Sequence, residues 1–433
     1  MRIVLVSMDC VRSDYLGQPG FSRLIDEGFL FDTCITAASH TSTSHTTMLT
    51  GTFPFDHGVR WLVRYRVRDT MLQEHFGSKG YRTGAFIGGF PLTQGDLDRG
   101  FDVFRHDPLT EDVAEGRSHY VPAPSLVDQA IGFLEGSGRD AFVFIHMFDA
   151  HLTLRSEFDE ENPPPEKDEN GRYRDIERHL GRRQRRYREE IDMMGIELQR
   201  LVDSGYVDLL IVTADHGEKM QGEKDYPWVH NRRGEPVGSH FHEVELWDHQ
   251  LKVPLLFWGA GIVPGSSSSM VRTVEIAPTL LEWSGHGDEA SGMKGTSLAS
   301  ALRGSPVPSI DRAYSETFFA QMHADNLHAA EMERKFEWGW KEIDSLVSLR
   351  SPERKLICTA NGEISPYHFY NLETDPFEEN DLIDDPNYSE EVSRYHEELL
   401  DLLGDDPQYR YHSMKGEVKS IRNVIRKGRL KGI

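Results

Sequence analysis

The chain has 433 residues with 38% hydrophobic content, enough for a large core and more than a single compact unit usually holds. Its formal charge of −23 excludes nucleic acid as the main partner, because phosphate backbones are bound through Lys and Arg, and it favours solubility. Three cysteines, Cys10, Cys34 and Cys358, are too few and odd in number for a disulfide framework and read as buried thiols.

The chain opens with Arg2-Ile3-Val4-Leu5-Val6-Ser7-Met8-Asp9, an apolar run ending on a carboxylate, which reads as a buried strand with Asp9 at its C-terminal end. A start on a core strand leaves no room for a signal peptide, and no run approaches about 18 apolar residues, so a cytoplasmic protein is expected. Next, Ala38-Ser39-His40-Thr41-Ser42-Thr43-Ser44-His45-Thr46-Thr47-Met48-Leu49-Thr50-Gly51 crowds hydroxyls together. That stretch is either a polar cap on a helix or a loop that supplies a nucleophile. A short helix is expected over residues 72–79, a strand over 80–89 and a helix over 124–136. The run from Ala141 to Met147 is a central buried strand, and Asp149 and His151 follow it in a loop, where function concentrates. His146, inside the strand, reads as a core histidine with a hydrogen-bond partner rather than as a ligand.

Residues 155–186 differ in composition, with Pro163-Pro164-Pro165 and the basic run Arg182-Arg183-Gln184-Arg185-Arg186. They read as a charged, exposed insertion, with a lid over an anionic substrate as the second reading. A helix continues through Tyr187, Ile191, Met194 and Leu198 to Leu201 on an amphipathic stripe. Val207-Asp208-Leu209-Leu210-Ile211-Val212-Thr213-Ala214-Asp215-His216 then repeats the pattern of the first strand and adds a histidine. Strands alternating with helices imply an α/β fold, a doubly wound and mostly parallel sheet sandwiched by helices. Ligands of such sheets bind outside the carboxyl ends of the strands. Asp9, a hydroxyl of the Thr41 loop, Asp215 and His216 are therefore expected to converge on a divalent metal through O and N donors.

A boundary is expected near Ser305, dividing residues 1–305 from a C-terminal part, 306–405, with a small antiparallel sheet and a closing helix over 389–403. The tail, 406–433, reverses the charge with Lys415, Lys419, Arg422, Arg426, Lys427, Arg429 and Lys431. A helix packed back on the acidic protein is favoured there over one lying on an anionic membrane.

These motifs resemble the sulfatase-like branch of the alkaline phosphatase superfamily. Asp9-Cys10-Val11-Arg12-Ser13-Asp14-Tyr15-Leu16-Gly17 is similar to the family's Asp-Thr-Leu-Arg-Ala-Asp-His-Leu-Gly, and Leu49-Thr50-Gly51 closes its nucleophile motif. The resemblance spans roughly residues 1–403, ending on His368-Phe369-Tyr370-Asn371-Leu372-Glu373-Thr374-Asp375-Pro376. It implies that Asp9, Thr41, Asp215 and His216 hold the metal (Ca, Mg, Mn or Zn) and that Thr41 is the nucleophile. It puts Arg12 near that nucleophile and His151 and His242 against the ester's anionic group, with His240 as an alternative to His242. Cys10 falls where some sulfatases place a second metal-binding Asp, and His45 where Arg is usual. The spacing Asp149-Ala150-His151 resembles the sulfatase Asp-Pro-His, not the Asp-x-x-x-His of two-zinc phosphodiesterases, so one metal is favoured over two. With no cysteine at position 41, no formylglycine can form there. A sulfated threonine lacks the aldehyde exit of a formylglycine hydrate, so hydrolysis of phosphate mono- or diesters is expected ahead of sulfate esters, on a small-molecule or glycan substrate. The alternatives are transfer of the phospho group to an alcohol acceptor and a catalytically inactive binding protein.

Overall fold

In the computed structural model the described residues are 1–60, 65–93, 95–108, 120–138, 140–152, 176–220, 229–230, 236–237, 242, 244–318, 344–361 and 363–404. The apolar runs form strands: β1 (Arg2–Met8), β2 (Phe29–Ile35), β3 (Arg82–Ile87), β4 (Val103–Arg105), β5 (Ala141–Met147) and β6 (Leu209–Thr213). A two-residue pair follows, β7 (Val229–His230) with β8 (Pro236–Val237), then β9 (Lys252–Gly259), β10 (Gly265–Ser267) and β11 (Val271–Arg272). The large sheet runs β10-β2-β9-β6-β1-β5-β3-β4, with β11 beside β2. Every pair in it is parallel except the two that β9 makes, with β2 and with β6. All seven residues of β5 and all five of β6 are buried, as expected of central strands covered by helices on both faces.

The expected helices form close to where the pattern puts them, at Leu72–Ser78, Ala123–Glu135 and Ser389–Leu403. The strand expected over 80–89 is shorter, Arg82–Ile87, because Gly88 and Gly89 pass tightly against Phe148 and the end of β5. The long helix Ile176–Asp203 buries Tyr187, Ile191, Met194, Leu198 and Leu201. Part of the charged insertion therefore belongs to this helix, while residues 153–175 and the tail after Gly404 lie outside the described residues. Among the described residues no helix is long and apolar enough to cross a membrane.

A second sheet, β12 (Ala313–Thr317), β13 (Leu346–Arg350), β14 (Arg354–Ala360) and β15 (Ile364–Asn371), is antiparallel throughout. The helix Ser389–Leu403 covers it with Val392, Tyr395, Leu399 and Leu403. Two buried polar joints fasten this sheet to the large one. In the first, the Glu316 N–H donates to the Ala37 carbonyl at 2.9 Å, and Arg60 grips both Glu316 oxygens at 2.5 and 2.6 Å. In the second, Asp248 accepts from Arg350 at 2.5 and 2.6 Å and from Lys355 at 3.0 Å, while Lys355 also pairs with Glu378 at 2.7 Å.

Candidate active site

The register sets the site. Ser7 of β1 lies level with His146 of β5 on one side and with Thr213 of β6 on the other, so the three chains leave the sheet side by side. Asp9 follows β1 directly, Asp215 stands two residues past β6, and His151 lies in the turn Asp149–Leu152 after β5. Thr41 reaches the same point from the first turn of the helix Thr41–Thr50. That helix stops at Gly51, whose φ of 66° is the left-handed setting that suits glycine and whose N–H caps the Thr47 carbonyl at 2.9 Å. Gly217 is equally constrained, because a Cβ there would come within 2.1 Å of the His249 carbonyl oxygen.

Asp9 Oδ2 accepts from His146 Nε2 at 3.0 Å and from the Thr41 hydroxyl at 3.4 Å, and the Cys10 thiol donates to Oδ1 at 3.0 Å. Burial alone would raise the Asp9 pKa, but the hydrogen bond from His146 and the charges of His151, His146 and His216 hold it well below the usual carboxylate range. Asp215 goes the other way, pushed up to about 6 by burial and by the charge of Asp9. Its Oδ1 accepts the N–H groups of Cys10 (3.2 Å) and His216 (2.8 Å). Its Oδ2 is fully buried without a hydrogen-bond partner, 3.3 Å from His216 Nε2 and 3.7 Å from His45 Nδ1. His216 Nδ1 donates to the Gly217 carbonyl at 2.9 Å, so Nε2, 3.5 Å from Thr41 Oγ1, is the nitrogen with the lone pair.

A buried carboxylate oxygen with no donor, beside a second buried carboxylate and an imidazole lone pair, is costly unless a cation completes it. These residues fit the divalent metal that the sequence implies. The compact donor groups, each within 4.8 Å, are Asp9 with Cys10 and His216, Cys10 with His151 and His242, and His45 with His146 and Asp215. Among the described residues Asp215 therefore falls in a different group from Asp9 and His216, though its Oδ2 lies 3.3 Å from His216 Nε2, and Cys10 is shared by two of the groups.

His45 Nδ1 donates to the Thr41 carbonyl at 2.7 Å, and burial followed by the charge of His146 lowers its pKa to about 3. The position where the family carries Arg is therefore a neutral ring. His242 Nδ1 donates to Glu218 at 2.7 Å, and its ring stacks on His216 at 4.3 Å and faces His151 at 5.1 Å. His240 lies outside the described residues. Arg12, which the resemblance puts near the nucleophile, is buried, and its guanidinium forks onto Asp14 at 3.0 and 2.7 Å. Asp149 accepts the Ala123 N–H at 3.1 Å, at the start of the helix Ala123–Glu135, and burial pushes it up to about 7.

Two site residues, His146 and Glu218, escaped the sequence reading, and a third, Cys10, was placed there by the resemblance alone. His146 is the sole polar side chain of β5 and its register beside Ser7 makes it the partner of Asp9, so it is both satisfied and part of the site. Glu218, two residues beyond His216, holds His242. Cys10 is no ordinary buried thiol: its φ of 63° is rare for a side-chain-bearing residue, and its Sγ touches both Asp9 and, at 3.5 Å, His242.

The chain belongs to the sulfatase family, whose model matches residues 2–286. A 61-residue stretch is 39% identical to the N-acetylglucosamine-6-sulfatase of Capra hircus, a match that spans 14% of this chain and 11% of that protein. The fold is shared with a 2-O GAG sulfatase at TM-score 0.66 and 18% identity, covering 95% of this chain and 93% of the other. It is shared also with the phosphonate monoester hydrolase of Agrobacterium radiobacter at TM-score 0.67 and 18% identity, covering 94% and 96%. At such identities the likeness extends to the fold alone.

Proposed function

We propose that this protein is a metal-dependent ester hydrolase in which Thr41 is the nucleophile and phosphate mono- or diesters are turned over ahead of sulfate esters. The observation that carries the reading is the place of Thr41 Oγ1, at the N-terminus of its helix, 3.4 Å from Asp9 Oδ2 and 3.5 Å from His216 Nε2. A divalent cation held by Asp9, Asp215 and His216 would lower the hydroxyl pKa and neutralise a non-bridging ester oxygen. The helix N-terminus adds its positive dipole end at the developing alkoxide. Thr41 Oγ1 attacks phosphorus in line, the P–O bond to the alcohol breaks, and water then cleaves the threonine phosphate to restore the hydroxyl. His151 and His242 donate to the equatorial oxygens, with Glu218 fixing the His242 ring. Because His45 is neutral, the hydrogen bonds from these two rings stand in for those the family's Arg would bring. Arg12 contributes through the charge it shares with Asp14 and by anchoring the loop after β1, where its N–H meets the Tyr187 hydroxyl at 3.1 Å.

The test is a side-by-side assay of a monoester, a diester and a sulfate ester with one leaving group. Phosphate esters are expected to turn over faster, and His242→Ala to lose more on the monoester, whose extra charge needs the extra donor. Faster sulfate turnover by the unmodified protein would overturn the reading.

A further inference from the structure

We infer that Tyr187 is a positioning residue: from the helix Ile176–Asp203 its hydroxyl locks the turn Met8–Val11, and through that turn it holds Asp9 in the pose that ligates the divalent cation. The inference rests on the metal-dependent reading above and adds a residue that acts on the site through its neighbours. β1 runs into a four-residue turn in which the Val11 N–H donates to the Met8 carbonyl at 3.3 Å. Asp9 and Cys10 are its two corners, so the direction of the Asp9 carboxylate depends on how the turn is held. The second corner is where turns with positive φ take glycine or asparagine. Here it is a cysteine at φ 63°, a setting that persists in a residue with a side chain only where the surroundings over-determine it.

The turn is held at its entry, at its second corner and at its exit. At the entry the Asp9 N–H donates to the Met147 carbonyl at 2.8 Å, and at the corner the Cys10 N–H donates to Asp215 Oδ1 at 3.2 Å. One atom holds the exit. The Tyr187 hydroxyl donates to the Cys10 carbonyl at 2.5 Å and accepts the Arg12 N–H at 3.1 Å, so it spans the peptide units on both sides of Val11. That hydroxyl is aimed from a firm mount. Its ring is fully buried and meets Tyr15 edge-on, with 4.9 Å between centroids. Further along the same helix, Asp192 accepts the Gly20 N–H at 2.6 Å and Gln199 donates to the Gly20 carbonyl. A Cβ on Gly20 would come within 2.3 Å of the Asp192 carbonyl oxygen, so helix and loop are already in contact. The helix is therefore fixed independently of the turn, and the turn takes the place that the hydroxyl dictates. Without the hydroxyl, Cys10 is free to relax toward negative φ. That change rotates the peptide between Asp9 and Cys10, turns the Asp9 carboxylate away from His216 and removes the donor from Asp215 Oδ1.

The experiment titrates Mn2+ into the full chain, stripped with a chelator, by calorimetry and with no ester present. Tyr187→Phe keeps the ring and removes only the hydroxyl; it should weaken Mn2+ binding about tenfold or more while circular dichroism shows a folded protein. On a Cys10→Gly background, where glycine adopts a φ of 63° without steric cost, the same Tyr187→Phe change should alter the affinity by no more than about twofold. Arg350→Ala, which breaks a buried joint between the two sheets, should lower the melting temperature and leave Mn2+ affinity within about twofold. A purely structural Tyr187 would behave as Arg350 does. An unchanged affinity in Tyr187→Phe, an equal loss in both Cys10 backgrounds, or a Tyr187→Phe chain that does not fold would overturn the inference and leave the metal-dependent reading standing. An unmodified chain that binds no Mn2+ would overturn both.

Discussion

Glu245 gives the sharpest test of the electrostatics. It is fully buried; its Oε2 accepts from His249 at 3.0 Å and Gln250 at 3.2 Å, while Oε1 has no hydrogen-bond partner and lies 3.7 Å from Lys219 Nζ. Burial, against the partial relief of Lys219, pushes its pKa from 4.5 to about 8. Between these values the unfolded chain has released the proton and the folded chain has kept it, so stability falls as pH rises through that window. At about 1.4 kcal/mol per unit, the loss is on the order of 3 kcal/mol at pH ~7 and about 5 kcal/mol above pH ~8. Glu245→Gln keeps the acceptor for His249 and Gln250 but has no proton to lose. With an unfolding entropy near 2 cal/mol/K per residue, the variant should melt about 4 °C above the unmodified protein at pH ~7 and within ~1 °C of it at pH ~5. Thermal melts of both proteins across that range measure the difference. A gap that does not widen with pH would refute the reasoning.

Thr41→Ala should lower kcat by roughly 10^4-fold or more with an unchanged melt, since it removes the nucleophile and only long contacts, whereas Ser44→Ala should keep activity within about tenfold. Ser44 bonds the Ala38 carbonyl at 2.7 Å and Thr36 Oγ1 at 3.0 Å, so its loss should show in stability, by about 1–2 kcal/mol. The reverse pattern would move the nucleophile. Asp215→Ala should reduce bound metal in elemental analysis of the purified protein, and full retention would contradict the ligand assignment. Arg350→Ala, which leaves Asp248 with Lys355 alone, should cost about 3 kcal/mol in chemical denaturation, and a loss below ~1 kcal/mol would show that the joint is not a structural one.

What the sequence made legible was local or periodic. The strand ends at Asp9 and Asp215, the parallel sheet and the helix Ser389–Leu403 follow from apolar periodicity, and the place of Thr41 close to Asp9 follows from the resemblance of the motif that ends on Leu49-Thr50-Gly51. The direction of β9 was not legible, since Lys252–Gly259 is an apolar run like its parallel neighbours and carries no mark of orientation. Charge states were hidden as well: His45 is neutral because it is buried beside His146, and burial is a property of the whole fold. Partners far apart in the chain, Asp9 with His146 and Asp248 with Arg350, look like isolated polar residues until the sheets bring them together.

The joint between Ala37, Arg60 and Glu316 bears on how the protein is made. Arg60 and its partner are 256 residues apart, and at about 5–20 residues per second a ribosome needs roughly 13 to 50 s to cover that distance. Until then the Ala37 carbonyl, four residues ahead of Thr41, lacks its backbone donor, and the Arg60 guanidinium must stay in water. The segment leading into the helix Thr41–Thr50 therefore gains this fastening late in translation, and a ribosome stalled before Glu316 carries a chain whose β1, β5 and β6 are complete but whose Thr41 hydroxyl is still unanchored on that side.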